Sequence, residues 1–285
     1  MLGGVRRSKV VLTALAVIIL TSGPAPHHAA RRAPALAAAP VTTAPVPTTV
    51  ITTTTTSTTV PPTSTVPPGP APPATACVPD PVPSIPTSAE LASPNIAGLG
   101  YSNTPGGATV GRLPASTWGG PTVRPVVGSQ GGWVEIQLDS RPNGSTGWVP
   151  QQDVTEALTG YQIVISTCRR TLTLYDEGQP TFSSPVGVGS PSSPTPLGPS
   201  FVDAIVATPR SQLYVYGPTV LITASHSNVY TDFDGGNGTV GIHEYPSDPA
   251  STYGADESHG CVRVDPATIH AIDVVPLGTP IDIIR

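Results

Sequence analysis

Ser258-His259-Gly260-Cys261-Val262-Arg263, with Gly241-Ile242-His243 upstream, is the stretch on which the reading of this chain turns. A cysteine beside a glycine, with two histidines near it, has the surroundings of a nucleophile rather than of a packing residue. A thiol needs a base or a cation to ionise, and main-chain N–H groups to hold the oxyanion it creates. Cys261 is the candidate nucleophile, and His243 and His259 are the candidate bases. His259 lies two residues before Cys261, on the same face of an extended segment. Gly260 lets the backbone come close to a substrate carbonyl. The N–H groups of Gly260 and Cys261, with His259, are the expected oxyanion hole. Ser258 is expected to fix this loop by hydrogen bonding. Arg263, at period two from Cys261, is placed to hold a carboxylate or the charge of an intermediate.

These residues resemble the signature of the L,D-transpeptidase catalytic domain, the YkuD family. That signature is a His, a spacer, then Ser/Thr-His-Gly-Cys, an apolar residue and Asn or Arg. Ser193-Pro194-Thr195-Pro196-Leu197-Gly198-Pro199-Ser200-Phe201 resembles the family's Thr-Pro-x-Gly-x-Phe loop. The resemblance covers Tyr161 to Arg285 and gives the base role to His243, oriented by a nearby backbone carbonyl. It implies a cysteine-dependent acyltransferase with no cofactor. Cys261 would attack the third residue of a peptidoglycan tetrapeptide stem and release D-alanine. An amine of a second stem would then resolve the thioester into a 3→3 cross-link. Donor and acceptor stems are the implied partners, and a carbapenem-type β-lactam is an implied covalent ligand. The family commonly has Gly after the upstream His, whereas Glu244-Tyr245-Pro246 follows it here. Glu244 is expected to face the crevice and attract the acceptor amine, with Tyr230, Tyr245 and Tyr253 lining it. His226 reads as a structural hydrogen-bonding residue. The His-x-Cys spacing lacks the paired Cys-x-x-Cys or His-x-x-x-His of a zinc site, so no metal is assigned. The alternatives are an L,D-carboxypeptidase, a protein-anchoring transferase, or a non-catalytic wall-binding module.

The rest of the chain suits such a role. Charged residues are scarce at 11%, while Pro (37) and Gly (29) abound, which favours a loop-rich, mainly β chain. Beyond Arg32 there are eight arginines, no lysine and all 18 acidic residues, a formal −10. Such a surface repels nucleic acid. Arg6, Arg7 and Lys9 precede an apolar run from Val10 to Leu20, a signal-peptide pattern shorter than the ~20 residues of a membrane span. Residues 1–32 are therefore expected to be a signal peptide or N-terminal anchor, making the protein exported, to the cell wall or outside the cell. Residues 33–90, rich in Ala, Pro and Thr, are expected to be a disordered linker. In an oxidising compartment, and with Cys261 kept free, Cys77 and Cys168 are the one intramolecular pair available.

Two β-rich domains follow. In 96–158, alternation in Trp133-Val134-Glu135-Ile136-Gln137-Leu138, an Asn143-Gly144 turn and a Gly147-Trp148 strand suggest a small barrel. The pattern resembles a bacterial SH3-type domain, with Trp118, Trp133 and Trp148 read as core. In 161–285, strands are expected over Gln162–Ser166, Thr171–Tyr175, Phe182–Val188, Phe201–Ala207, Tyr214–Tyr216, Val220–Thr223 and Ile281–Ile284. A short helix is expected to start at Asp265-Pro266, an N-cap acid followed by Pro at the first helical position, and to run to about Val274. The resemblance implies that this domain is a β-sandwich with its crevice over one sheet.

Overall fold

The computed structural model describes residues 77–233 and 236–285. The signal or anchor expected at 1–32, and the linker as far as residue 76, lie outside the described residues. The described chain is mainly β, with two short helices.

The first part comprises β1 (Ala89–Pro94), β2 (Gly100–Ser102), β3 (Thr109–Arg112), β4 (Ser116–Thr117), β5 (Gly120–Pro121), β6 (Arg124–Gln130), β7 (Trp133–Gln137), β8 (Thr146–Pro150) and β9 (Val154–Thr159). Seven of these pair antiparallel in the order β3-β2-β8-β7-β6-β1-β9. The alternation read in β7 puts Val134 and Ile136 into a core with Leu99, Leu113, Leu138 and Val149. The pairings do not support the expected SH3-like barrel. The segment between β3 and β6, which would carry a barrel round, is the ribbon β4–β5, whose strands pair with each other. The folded part also starts earlier than residue 96. β1 sits between β6 and β9 although Ala-Glu-Leu-Ala-Ser-Pro has no β-branched residue, so tertiary pairing overrides a weak local preference. Trp118 is not core: it is 54% exposed, at φ 55 in the β4–β5 turn.

The second part comprises β10 (Tyr161–Ser166), β11 (Thr171–Asp176), β12 (Gln179–Pro185), β13 (Val188–Gly189), β14 (Gly198–Ala207), α1 (Leu213–Tyr216), β15 (Thr219–His226), β16 (Thr239–His243), β17 (Asp256–Ser258), β18 (Val262–Arg263), α2 (Pro266–Ile272) and β19 (Pro280–Ile284). Eight strands form one mixed sheet, β12-β11-β10-β19-β14-β15-β16-β18, instead of two facing sheets. The last strand causes this. β19 lies parallel to β10 and antiparallel to β14, joining what a sandwich would keep apart. The sheet curls around a single core that takes Leu172 and Leu174 from one end, Ile242 and Val262 from the other, and Ile269 and Ile272 from α2. The Asp265 carboxylate caps α2 by accepting from the Thr268 N–H at 2.6 Å, and Pro266 fills the first turn. The expected strand at Tyr214–Tyr216 is instead α1. Its single turn is closed by Gly217, whose N–H donates to the Leu213 carbonyl from a φ of 65. Period-two aromatics alone do not distinguish such a turn from a strand.

A disulfide and two ion pairs tie the parts together. Cys77 and Cys168 form a disulfide with their Cα atoms 5.5 Å apart, and Arg285 pairs with Asp80 at 3.1 Å. Arg124 of β6 donates to Asp203 of β14 in an ion pair whose side chains are 2% and 0% exposed. The guanidinium also lies over the Phe201 ring, 4.9 Å from its centre. Removing one partner of such a pair strands a buried charge, whereas replacing both by apolar groups does not. Arg124→Ala is expected to lower the urea unfolding free energy by ~3–5 kcal/mol, and Arg124→Met with Asp203→Leu to recover most of it. A single variant within 1 kcal/mol of wild type would show that the pair does not hold the sheets.

Candidate active site

The parallel pairing of β16 with β18 sets the register of the site: Ile242 opposes Val262, and His243 opposes Arg263. Cys261 thus lies beside Gly241, whose N–H points at its Sγ from 3.4 Å. Cys261 is a free, half-buried thiol. His243, two residues along β16 from Gly241, is 4% exposed. Its Nδ1–H donates to the Glu244 carbonyl at 2.5 Å. A carbonyl only accepts, so the neutral ring carries its proton on Nδ1 and keeps the Nε2 lone pair free for chemistry. The Tyr216 ring packs edge-on against His243 with centres 4.9 Å apart.

Electrostatics favour an uncharged pair at rest. Burial pushes the Cys261 thiol up, opposed by the Gly241 N–H and the Arg263 charge. Burial also pushes His243 down to about 4, with the Glu244 carbonyl pulling up and Arg263 pulling further down. Arg263, 9% exposed, stacks on the Tyr245 ring at 3.8 Å.

Side chains hold the nucleophile loop from inside. Ser258 Oγ donates to the Cys261 carbonyl at 2.6 Å and accepts the Gly260 N–H at 3.0 Å. The Gly260 N–H is therefore engaged within the loop, which removes it from the expected oxyanion hole. Gly260 itself sits at φ 121, open to glycine and strained for other residues. Thr195 Oγ1 accepts the Gly189 N–H and donates to the Gly260 carbonyl, both at 2.9 Å. Ser193 Oγ donates to the His259 carbonyl at 2.7 Å. The loop that carried the second part of the sequence resemblance thus braces the nucleophile loop, through the parallel pair β13–β17. Arg170 adds a two-pronged contact to Asp256 of β17, at 2.6 and 2.7 Å.

Two cavities meet at the thiol. One, of about 230 Å³, is lined by Tyr230, Tyr245, His259 and Arg263 as well as His243 and Cys261. The other, of about 580 Å³, runs past Trp118, Val206, Val220 and Ile222 to the same His and Cys. His259 is exposed and is held by rings, Tyr230 at 5.7 Å and Phe233 at 5.4 Å, as a wall of the smaller cavity. Glu244 and Tyr253 do not line either cavity. They face a third one with Tyr245 and Asp265, and Glu244 packs into the space that Gly217 leaves. The expected crevice role of Glu244 and Tyr253 is thereby corrected: adjacent strand residues point to opposite faces, so a residue next to His243 turns away from the thiol. His226 is buried, with Nε2 3.1 Å from the Asn237 side chain and 3.5 Å from Asp139. Sequence reading missed Tyr216, Phe233, Ser193 and Thr195. Tyr216 ends the single-turn α1 and Phe233 lies between β15 and β16, and neither segment carries a motif. The others were quoted for their resemblance but carried no sign of what they would touch.

The His243 shift has a direct consequence for stability. The unfolded chain binds this proton near pH 6.5, and the folded protein only near 4. As pH falls from 6.5 to 4 the unfolded state alone takes it up, so stability drops, by about 3 kcal/mol. Urea unfolding of wild type and His243→Gln at pH 7 and 4.5 is expected to show a smaller acid loss in the variant. Equal losses would mean that the imidazole is not held neutral.

Residues 160–283 match the family model described as L,D-transpeptidase catalytic domain, YkuD. No curated protein matches the chain. Among solved structures, Bdellovibrio bacteriovorus Bd1075 is 25% identical over 43% of this chain and 46% of that one, with a TM-score of 0.33. The chain thus spans less than half the length of Bd1075. An L,D-transpeptidase from Mycobacterium smegmatis is 20% identical over 57% and 89%, TM-score 0.34. L,D-transpeptidase 3 from Mycobacterium tuberculosis, in complex with a faropenem-derived adduct, is 14% identical over 55% and 96%, TM-score 0.37. The family match begins one residue before β10 and ends within β19, so the curled sheet bearing Cys261 and His243 is the part of this chain that matches the L,D-transpeptidase catalytic domain.

Proposed function

We propose that this protein is a peptidoglycan L,D-transpeptidase that forms 3→3 cross-links through a thioester on Cys261. The observation that carries the reading is the convergence of Cys261 and His243 on shared cavities, with Nδ1 of the ring tied to a carbonyl. In the proposed reaction Sγ attacks the carbonyl of the third stem residue as its proton passes to His243 Nε2. The Glu244 carbonyl then holds the imidazolium through a charge-assisted bond. The peptide bond breaks, the proton goes to the departing D-alanine amine, and a thioester remains. An amine of a second stem attacks that thioester and gives up its proton to His243, and the sulfur leaves and is reprotonated. Because the resting pair is neutral, the proton moves during attack rather than before it. Arg263 and the Gly241 N–H stabilise negative charge as it develops at sulfur. With the Gly260 N–H engaged, the Cys261 N–H is the proposed oxyanion donor.

Two cavities at one thiol give room for two stems, which supports transfer to an amine over hydrolysis. A carbapenem-type β-lactam is a proposed covalent ligand of the same thiol. Export by the N-terminal segment, and a first sheet that orients the catalytic one, belong to the same reading.

Intact-mass analysis tests it. Incubation with a tetrapeptide stem is expected to add the mass of the stem less D-alanine to wild type and nothing to Cys261→Ala. Chromatography is expected to show cross-linked dimer in excess of free tripeptide. Absence of any adduct on wild type, from stem or carbapenem, would end the reading, and tripeptide alone would make the protein a carboxypeptidase.

A further inference from the structure

One part of the wall of the smaller cavity is the connection between β15 and β16. It carries Tyr230 and Phe233, which pack on each other at 5.6 Å and together hold the His259 ring. Within itself the connection is tied at its two ends and at Phe233, whose N–H and carbonyl pair with those of Gly236 at 2.9 Å. Ser227 Oγ accepts the N–H groups of Val229 and Tyr230, and the Ser227 N–H reaches the Gly238 carbonyl. Residues 226–230 are also anchored from the first sheet. The Asn143 side chain accepts the His226 N–H and donates to the His226 carbonyl, both at 2.8 Å, pairing that residue as a neighbouring strand would. Arg141 Nη2 donates to the Ser227 and Tyr230 carbonyls, each at 3.1 Å. Arg141 and Asn143 lie in the β7–β8 connection, which spans residues 138–145. A connection that only closed a hairpin would need two residues.

We infer that Arg141 and Asn143 are positioning residues of the stem-binding crevice: they fix residues 226–230 so that Tyr230 and Phe233 form the wall on which the stem lies. This inference rests on the proposed function for the identity of the ligand. It assigns the first sheet a part in substrate binding, through contacts that touch neither Cys261 nor His243. Four side-chain bonds to main-chain groups of one short segment set its position. Their loss frees the wall without disturbing β16 or the sulfur. The effect falls on KM for the stem and not on the chemical step.

The test uses full-length wild type, Asn143→Ala, Arg141→Ala and the conservative Arg141→Lys and Asn143→Asp. Hydrogen exchange is read at residues 226–230, with β10 and β11 as internal reference. Steady-state kinetics use a tetrapeptide stem, and iodoacetamide alkylation reports the thiol. The alanine variants are expected to exchange about tenfold faster at 226–230, as loss of ~1–2 kcal/mol of hydrogen bonding implies. KM is expected to rise about tenfold, with kcat and alkylation within twofold of wild type. The conservative variants, which keep some of the bonds, are expected to fall between. Unchanged exchange at 226–230 overturns the positioning role. Faster exchange with unchanged KM, or a parallel fall in kcat and alkylation, overturns the role in substrate binding. If wild type turns over no stem, the substrate assignment falls with the proposed function, while the exchange data still decide whether these residues anchor the wall.

Discussion

The buried contact between Arg124 and Asp203 is the constraint around which the two sheets are organised. A guanidinium and a carboxylate out of reach of water must be satisfied by each other, and that requirement fixes β6 against β14. The pair also shapes its surroundings. Asp139 stands close enough to Asp203 that burial and like charge raise it to about 6, while Arg124 pulls it back. Asp139 lies in the same connection as Arg141 and Asn143. The ion pair and the anchoring of the crevice wall are therefore parts of one seam between β6–β8 and β14–β15.

On the far side of that seam the fold solves a different problem. A nucleophile loop must stay rigid while presenting its sulfur. Here the loop's polar groups are turned inward: Ser258 binds both Gly260 and Cys261, and Thr195 and Ser193 bind the carbonyls of Gly260 and His259. These internal partners hold the loop while the thiol faces the cavities. Burial that keeps both sulfur and imidazole uncharged at rest also keeps water from screening them, so the Arg263 charge and the Gly241 dipole act strongly once charge begins to form.

Much of this was legible before any coordinates, and the reason is locality. The Ser-His-Gly-Cys run leads directly into β18, which pairs parallel with the strand of His243, so proximity in sequence became proximity in space. The helix after the nucleophile was legible because Asp265 and Pro266 encode its start directly. What escaped depends on contacts distant in sequence. Nothing in Thr195 announces a bond to Gly260, 65 residues on. Asn143-Gly144 reads as a tight turn, yet the asparagine side chain is spent on His226. β1 has little intrinsic preference to be a strand and becomes one between two neighbours. Leu213–Tyr216 has a strand's composition and is a helical turn because Gly217 closes it. Glu244 was assigned to the crevice from its neighbour's role, and strand alternation turned it away.

The Cys77–Cys168 bond closes a covalent ring across a sequence separation of 91 residues that encloses the whole first sheet. A pull on the chain from its N-terminal side enters the ring at Cys77 and leaves it through sulfur to Cys168, in the turn between β10 and β11. Tension then runs along the sheet that carries Cys261, while residues 78–167 stay slack. A molecule held at one end and joined to its substrate at the other would thus bear mechanical load through its catalytic sheet, and the backbone of the first sheet would lie outside the covalent path of that load.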